Sequence, residues 1–346
     1  MTGGSATGAS ATEAGVTGGR VEISIGPLTD DLVSFYQTSG MDRGTAGKSA
    51  ISWAFAAGQQ PFCIARLDGK VVGLSSYIQS RMKLGHAEGS GAQAVDSYVA
   101  PEMRGKGLFT TLAKSYAEHA AASGMDLVWG FPNDNAAPAW FGKLGWERHG
   151  QVPFLVKPLR AGYILRKLRV PGDFPLSRRR DEGLTPVTAV GDWVDDVWDR
   201  FSANITCATI RGRAFLNHRL FAGPAASDYR VVADPGAKGA IVATREAEKH
   251  GGRIAYLMEA MGGNTLPAML NSEMARLRTG GTELVLAWSY PWSPNYKTLR
   301  ACGFYPLPER LRPIRIWFGA RPSSALGICA QQRENWYLSY LDSDTV

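Results

Sequence analysis

The chain has 346 residues, of which 45% are hydrophobic and 20% charged, and its formal net charge at pH 7 is +7. This composition is typical of a globular protein with room for two domains, and the positive charge suits an anionic ligand. No apolar run approaches the roughly 18 residues of a membrane span, and the four cysteines lack the spacing of a disulfide framework or a zinc site. We therefore expect a cytoplasmic protein with no membrane partner and no bound metal.

The first part of the chain divides into a polar tail and a series of regular elements. Residues 1–20 are rich in Gly, Ser, Thr and Ala and are expected to be disordered. Beyond them, periodic apolar residues predict strands and helices in alternation. In chain order we predict strand 21–25, helix 28–36, a glycine-rich loop at 40–47, helix 49–57, a hairpin of strands 62–66 and 71–75, strand 93–99, a helix from Gly107, strand 125–129, helix 137–143 and strand 152–156. These elements indicate a mixed α/β (α+β) fold.

A basic glycine turn joins strand 93–99 to the helix that follows it. The sequence Arg104-Gly105-Lys106-Gly107, which we call the Arg-Gly-Lys-Gly loop, precedes apolar residues at helical spacing. The first backbone N–H groups of a helix have no partner within the helix, and the helix dipole adds positive charge there. The glycines leave room for an anion, and the two basic side chains add full charges. The loop therefore predicts a phosphate or pyrophosphate site.

Residues 99–108 have the pattern Val-x-Pro-x-x-Arg-Gly-x-Gly-Leu, which resembles the acetyl-CoA motif of the GCN5-related N-acetyltransferases (GNAT). The element order β-α-α-β-β-β-α-β-α-β is similar to the order in that family. The resemblance implies that acetyl-CoA, or another acyl-CoA, places its pyrophosphate on the amides of residues 105–110. It assigns cofactor binding to Val99, Arg104, Gly105, Lys106, Gly107, Leu108, Phe109, Thr110 and Asn135. Phe109 departs from the family, which often has Gly or Ala at this position.

A second family motif is matched by Asn135 and by residues 140–146, Trp-Phe-Gly-Lys-Leu-Gly-Trp. Many relatives have a Tyr where Phe141 stands, and the resemblance gives that Tyr the task of protonating the departing CoA thiolate. Phe141 has no proton to give. Either another group protonates the thiolate, or the thiolate leaves to solvent unassisted.

The candidate catalytic residues lie on strand 93–99. Alternation places Asp96 and Tyr98 on one face, opposite Ser97 and Val99. If that face borders the active-site cleft, Asp96 is the candidate general base, directly or through water, and Tyr98 the candidate acid. The structural alternative is that Asp96 pairs with a surface arginine and Tyr98 fills the core. The resemblance implies that backbone amides around Tyr98 and Val99 bind the thioester oxygen.

Three further residues are weaker candidates because no motif supports them. His86, in a glycine-rich loop, is an alternative base. Glu259 and Tyr290 stand near predicted strand ends in the second half of the chain. They could reach an acceptor if the second half lies beside the first.

The second half repeats the pattern of the first. Residues 216–223 match 51–58, and residues 281–285 match 124–128, at nearly the same offset, which is typical of duplication. We predict two tandem GNAT-like domains, each a mixed, mostly antiparallel sheet flanked by helices: residues 21–160 with the CoA site, a linker at 161–183 and a degenerate second domain at 184–346. The Arg-Gly-Lys-Gly loop is replaced by residues 261–264, Met-Gly-Gly-Asn, so one CoA per chain is expected.

These features predict an acyl-CoA-dependent N-acyltransferase that acts on a primary amine of a small molecule. Residues 335–344 resemble the ends of tandem sugar N-acyltransferases of polysaccharide biosynthesis, which implies an amino sugar, or a nucleotide-linked amino sugar, as acceptor. Two alternatives stay open: an aminoacyl transferase of the peptidoglycan-precursor type that uses charged tRNA, and a non-catalytic acyl-CoA-binding sensor. The intact loop disfavours the first, so no nucleic-acid partner is expected, and the chain is expected to be a monomer or homodimer.

Overall fold

The structure is a computed structural model that describes residues 12–16, 19–41, 47–56, 58, 60–236, 239–249, 251–312 and 314–343. The described chain divides into two compact units. Unit 1 comprises the residues up to Arg81 together with Gly89–His149 and Phe318–Gln331, and unit 2 comprises Met82–Glu88, Gly150–Trp317 and the residues from Gln332 onward.

Fifteen strands and nine α-helices make up the regular structure of the described residues. In chain order they are β1 Thr12–Val16, β2 Gly19–Gly26, α1 Asp30–Thr38, α2 Gly47–Ala54, β3 Phe62–Leu67, β4 Lys70–Leu84, β5 Ala87–Val99, α3 Leu108–Ala122, β6 Leu127–Gly130, α4 Ala137–Gly142, β7 Glu147–Gln151, β8 Phe154–Pro158, α5 Gly162–Lys167, α6 Trp193–Phe201, β9 Cys207–Thr209, α7 Arg213–Phe221, β10 Tyr229–Asp234, β11 Ala240–Lys249, β12 Gly252–Gly262, α8 Leu266–Thr279, β13 Leu284–Trp288, α9 Tyr296–Ala301, β14 Tyr305–Pro306 and β15 Trp317–Pro322. Short 3-10 helices join several of them.

The sheet of unit 1 runs in the order β1-β2-β3-β4-β5-β6-β15-β7. Strands β2, β3 and β4 pair antiparallel, and β5 pairs parallel to β6 after the crossover through α3. Successive side chains of a strand point to opposite faces, so β3 contributes to two cores. Cys63 and Ala65 pack in the core that includes α3, and Phe62 and Ile64 pack in the core that includes α1 and α2.

The sheet of unit 2 runs in the order β10-β11-β12-β13-β8-β14. Strand β12 pairs parallel to β13 after the crossover through α8, and the other pairs are antiparallel. Helix α8 buries Leu266, Leu270, Met274 and Leu277 against this sheet, at the spacing of one helical face. The end of β4, which belongs to unit 2, pairs with β9. The fold is therefore the predicted one, two mostly antiparallel sheets flanked by helices.

Each unit is built from several separate segments of the chain, whereas the predicted domains are each one continuous segment. Strand β8, predicted to close the first domain, pairs with β13 in unit 2, where Val156 lies opposite Leu286. Strand β15, near the end of the chain, pairs with β6 in unit 1, where Ala320 lies opposite Trp129. Alternation of side chains identifies a strand but not the sheet that it joins, so contiguous domains at 21–160 and 184–346 were the simplest prediction.

Two predicted irregular segments contain regular structure. In the predicted tail at 1–20, β1 pairs antiparallel with β2; residues 1–11 and 17–18 lie outside the described part. The predicted linker at 161–183 contains helix α5 and lies within unit 2. Arg166 of α5 donates to both carboxylate oxygens of Glu283 at 2.6 Å, and Arg278 donates to the carbonyls of Ser177 and Arg179. These bonds fasten a segment that has no periodicity in its sequence. Residues 42–46 of the predicted glycine-rich loop also lie outside the described residues.

No helix among the described residues is long and apolar enough to cross a membrane. The same residues contain no group of three or more His, Cys, Asp or Glu side chains arranged to hold a metal ion.

Candidate active site

The backbone of β5 is irregular at Asp96. Asp96 has φ +31°, a left-handed conformation that Asp adopts more readily than most residues. Val95 packs in the core that includes α1 and α2, and the next side chain, Asp96, also reaches α1, where the Tyr36 hydroxyl donates to it over 3.5 Å. Two consecutive side chains thus turn to the same face, which interrupts the alternation of the strand.

Beyond this irregularity the strand alternates again. Tyr98 lies on the α1 face, where its ring meets Phe35 edge to face with centroids 5.7 Å apart. Ser97 lies on the other face, with its hydroxyl 3.0 Å from that of Ser75. Asp96 and Tyr98 therefore share a face, in the arrangement that the sequence predicts, and their catalytic roles remain predictions.

Tyr36 is a residue of this site that the sequence analysis missed. Its side chain is completely buried, and its hydroxyl lies 2.6 Å from the buried hydroxyl of Ser76 as well as near Asp96. The sequence carries no signal for this role, because Tyr36 occupies a core-facing position of the amphipathic helix α1. The hydroxyl connects Asp96 to a buried polar group and restricts where the carboxylate can lie.

The pairing of β5 with β6 ends at Ala94, where β6 itself ends at Gly130. In the described part of the chain, their parallel pairing runs from Gly91 opposite Leu127 to Ala94 opposite Gly130 and ends there, whereas β5 continues to Val99. A Cβ on Gly130 would lie 2.9 Å from the Ala94 carbonyl oxygen, so only glycine permits this close approach at the last pair of the two strands. In this part of the described chain, the backbone from Val95 to Val99 therefore has no paired residue of β6 beside it, and the resemblance places the thioester oxygen along this stretch.

The Arg-Gly-Lys-Gly loop presents exposed backbone to solvent. Gly105 and Gly107 have φ +75° and +80°, and a Cβ on either would meet nothing within 4 Å. Gly107 is the N-cap residue of α3 and provides no side-chain cap. The Thr111 backbone amide donates to the Gly107 carbonyl over 3.1 Å. The backbone amides before Thr111, in the first turn of the helix, have no carbonyl partner within the helix. The loop has both the room and the donors that a pyrophosphate needs.

Arg104 fastens the loop to the end of β5. Its Nε donates to the Val99 carbonyl over 3.0 Å, and its guanidinium lies 5.4 Å from the centroid of the Tyr98 ring. Arg104 and Lys106 are both exposed. The predicted anion site and the predicted catalytic strand are thus joined by a direct hydrogen bond.

The remaining predicted cofactor residues flank this loop. Leu108 is buried, whereas Phe109 and Thr110 are half-buried. The Phe109 ring packs edge to face on Trp140 with centroids 5.4 Å apart. This bulky residue is therefore accommodated by packing on α4.

The segment between β6 and α4 carries the second family motif. Asn135 is exposed, and its backbone N–H donates to the side-chain oxygen of Asn133 over 3.1 Å. Phe141 is half-buried and packs so closely on Gly319 of β15 that a Cβ there would lie 2.5 Å from the ring. With Phe141 fixed and without a hydroxyl, Tyr98 remains the candidate proton donor.

Two of the weaker candidates lie in contrasting environments, one exposed and one buried. His86 is exposed in the turn between β4 and β5. Glu259 is buried and fully engaged: Arg211 Nε lies 3.2 Å away, Ser339 donates to it over 2.9 Å, and the Tyr337 hydroxyl donates as well. The Ala260 backbone amide donates to it as a fourth group over 2.9 Å. A buried carboxylate held by four donors has a structural role, and the suggestion that Glu259 reaches an acceptor stays a prediction.

The Glu259 carboxylate belongs to a buried ionic cluster in unit 2. Burial opposes the charge on Arg211, but the carboxylates of Asp342 and Glu259 outweigh it and raise the Arg211 pKa well above its usual range. Arg211 also donates to Asp342. The cluster fastens residues near the end of the chain to β12, which is a structural role.

Comparison with known proteins bears on unit 1 and on the fold as a whole. Residues 35–149 match the family model described as an acetyltransferase (GNAT) domain, and this segment contains every predicted cofactor and catalytic residue. No curated protein matches the sequence significantly.

Solved structures share the fold over most of the chain. One is a conserved protein of Enterococcus faecalis described as a probable N-acyltransferase: 12% identity, TM-score 0.62, covering 90% of this chain and 74% of that one. A GCN5-related N-acetyltransferase from Anabaena variabilis has 13% identity and TM-score 0.59, covering 87% and 73%. N-myristoyltransferase of Saccharomyces cerevisiae with bound myristoyl-CoA has 12% identity and TM-score 0.57, covering 90% and 85%.

At these identities the structural likeness concerns the fold, and the match of 35–149 concerns the family. Both agree with the motifs at 99–108 and 140–146. Residues 35–149 therefore match a GNAT acetyltransferase domain, and this match supports an N-acyltransferase. The solved neighbours share the fold.

Proposed function

We propose that this chain transfers an acyl group from an acyl-CoA to the primary amine of a small molecule. One observation carries the proposal: the bond from Arg104 to the Val99 carbonyl joins the Arg-Gly-Lys-Gly loop to the strand that bears Asp96 and Tyr98. A phosphate site and a pair of acid–base candidates at one end of a strand are what acyl transfer from a phosphorylated thioester carrier requires.

The loop fits the pyrophosphate of CoA. Gly105 and Gly107 leave the space beside their Cα atoms empty, so backbone amides can approach phosphate oxygens closely. Arg104 and Lys106 would add charge-assisted hydrogen bonds, which are stronger than neutral ones. When bound, acyl-CoA supplies an activated thioester.

The residues of β5 supply the rest of the chemistry. The Asp96 carboxylate accepts a proton from the acceptor amine, directly or through water, and the Tyr36 hydroxyl holds that carboxylate in place. The amides at Tyr98 and Val99 donate to the oxygen that gains negative charge as the new C–N bond forms. The C–S bond then breaks, and the Tyr98 hydroxyl protonates the departing sulfur in place of the tyrosine that Phe141 replaces.

Unit 2 is proposed to be a second GNAT-like domain that binds no CoA. At the position corresponding to the Arg-Gly-Lys-Gly loop, the amide of Gly263 donates to the Gly239 carbonyl over 3.1 Å. A Cβ on Gly262 would lie 2.4 Å from Ala240, so this turn is packed against protein. An amide that is already engaged, in a turn without basic residues, supports one CoA per chain.

The acceptor that we propose is an amino sugar or a nucleotide-linked amino sugar. The net charge of +7 and the resemblance of residues 335–344 support this choice. The acyl chain length is open, because the solved neighbours include both an N-acetyltransferase and a protein with bound myristoyl-CoA.

The proposal is tested by following free thiol release from acetyl-CoA and from a long-chain acyl-CoA in the presence of amino sugars, free and nucleotide-linked. Charged tRNA with a peptidoglycan precursor forms a second arm. Thiol release that depends on an amino sugar supports the proposal. Release with other small amines only would remove the sugar and keep the reaction. Aminoacyl transfer in the tRNA arm, or tight acyl-CoA binding with no release in any arm, would favour the aminoacyl transferase or the sensor instead.

A further inference from the structure

Unit 2 contains two arginines close together that face no buried carboxylate. Arg312 is 11% exposed, and the carboxylate beside it, that of Glu309, lies 3.7 Å away and is itself 68% exposed. Arg312 donates instead to neutral oxygens: the Gln151 side chain over 3.1 Å and the Val152 carbonyl over 3.3 Å. Arg333 donates to the Gln151 carbonyl over 3.3 Å. Both guanidinium groups therefore converge on residues 151–152.

These two groups are close enough to act on each other. Burial lowers the pKa of Arg312, Glu309 raises it, and the charge of Arg333 lowers it further. Two cations that share a partly buried space repel, and the repulsion is not screened as it would be in water. In the described part of unit 2, the ionic clusters around Arg211 and Glu273 each contain buried carboxylates. The pair at Arg312 and Arg333 differs from them in this respect.

A buried hydroxyl without a partner lies at the same place. Tyr290 is completely buried, and among the described residues its hydroxyl oxygen has no hydrogen-bond partner. Burial raises the pKa of this hydroxyl to about 12; the neighbouring Arg333 guanidinium and the charge of Arg312 lower it, and the charge of Glu334 raises it. Arg333 lies over the face of the Tyr290 ring, 4.9 Å from its centroid, so its guanidinium is a close neighbour of the hydroxyl. The Arg333 Nε is also buried and without a partner.

Leaving buried donors unused costs free energy, so such a group usually has a ligand or a role. Here the unused groups are the Tyr290 hydroxyl and the Nε of Arg333, with Arg312 as a second cation beside them. These are the hydrogen-bond donors that an oxyanion accepts. Arginine binds carboxylates and phosphates through paired N–H groups. The cluster reaches solvent at Trp292, which stacks on Tyr290 with centroids 4.5 Å apart and is 38% exposed.

We infer that Tyr290, Arg312 and Arg333 form a binding site in unit 2 for the carboxylate or phosphate group of a small molecule. The bound oxygens accept hydrogen bonds from the Tyr290 hydroxyl and from Arg333, and their negative charge relieves the repulsion between the two arginines. The residues of this site belong to unit 2 and those of the Arg-Gly-Lys-Gly loop to unit 1, and the inference does not depend on the proposed acyl transfer.

The test is calorimetric titration of the full chain with inorganic phosphate and, separately, with acetate, at ionic strength matched with sodium chloride. Inorganic phosphate also fits the Arg-Gly-Lys-Gly loop, so the phosphate titration is repeated in Arg104→Ala. Binding that persists in this variant reports the second site. Binding of phosphate alone identifies phosphoryl compounds as the ligand class, and binding of acetate alone identifies carboxylates.

Two variants and a control assign the binding to these residues. Arg333→Gln removes a charge-assisted contact and is expected to weaken binding roughly 10- to 100-fold. Tyr290→Phe keeps the ring, and because the hydroxyl has no partner in the protein, the melting temperature is not expected to fall, whereas binding weakens roughly 3- to 10-fold. The exposed Arg310→Gln, nearby in the sequence, is the matched control and leaves the affinity unchanged. Absence of binding of either anion, or affinity that is the same in Tyr290→Phe and Arg333→Gln as in the parent, overturns the inference.

Discussion

Helix α3 has a glycine in the left-handed conformation at each end. Substituting each glycine in turn distinguishes an effect on protein stability from an effect on acetyl-CoA binding. Gly107 precedes the helix with φ +80°, and Gly124 follows it with φ +76°. A Cβ on either glycine meets nothing within 4 Å of the protein. Substitution by alanine therefore introduces backbone strain without a clash at both positions, and only Gly107 faces the proposed pyrophosphate.

The magnitudes follow from this geometry. An L-residue in the left-handed region costs roughly 1–2 kcal/mol, so Gly107→Ala and Gly124→Ala should lower the free energy of unfolding by similar amounts. The methyl group in Gly107→Ala also occupies the space through which phosphate oxygens reach the first amides of α3. Charge-assisted hydrogen bonds contribute roughly 1.5–3 kcal/mol each, so losing one or more weakens acetyl-CoA binding by roughly tenfold or more.

Thermal melts followed by circular dichroism and calorimetric titration with acetyl-CoA measure the two effects separately. We expect similar melting temperatures for the two variants and weaker acetyl-CoA binding in Gly107→Ala alone. If Gly107→Ala binds acetyl-CoA as tightly as the parent, the loop does not hold the pyrophosphate. Equal weakening in Gly124→Ala would mean that helix stability, and not loop geometry, controls the affinity.

Three further predictions concern single side chains. Asp96→Asn should reduce turnover by roughly 10²-fold, as expected for loss of a general base. The control Asp68→Asn, also at positive φ but in a turn, should leave turnover unchanged. Full activity of Asp96→Asn at neutral pH would place the base elsewhere. Arg211→Met leaves two buried carboxylates without their cation and should lower the free energy of unfolding by roughly 3–5 kcal/mol, which an unchanged denaturant midpoint would contradict. Burial raises the pKa of Tyr116 to about 12, so the unfolded chain loses this proton first as the pH rises. The free energy of unfolding should therefore fall between pH 10 and 12 by up to about 1.4 kcal/mol per pH unit. The decrease should be less steep in Tyr116→Phe, and an equal slope in both proteins would refute this prediction.

The parts of the site that follow from local sequence were predictable. Periodic apolar residues fix where α3 begins, and two glycines between basic residues can do little other than turn the chain at that point. The left-handed φ angles of Gly105 and Gly107 are the physical counterpart of that pattern. The alternation along β5 likewise put Asp96 and Tyr98 on one face.

The parts that depend on distant residues were not predictable. The hydroxyl of Tyr36 reaches Asp96 only because α1 packs on β5, and a tyrosine on the buried face of a helix gives no sign of its partner. The burial of Glu259 depends on Arg211 and on residues near the end of the chain. The exchange of β8 and β15 between the sheets depends on strand pairing, which alternation within one strand does not encode.

The central claim is that one acyl-CoA binds at the Arg-Gly-Lys-Gly loop of unit 1, and its most direct test is a crystal structure of the full chain with CoA. We expect pyrophosphate density on the amides of residues 105–110, with the thiol end directed along β5 beyond Ala94, where its pairing with β6 has ended. We expect no CoA at Gly262 and Gly263. Density for CoA at that second turn, or CoA bound away from residues 104–110, would contradict the account.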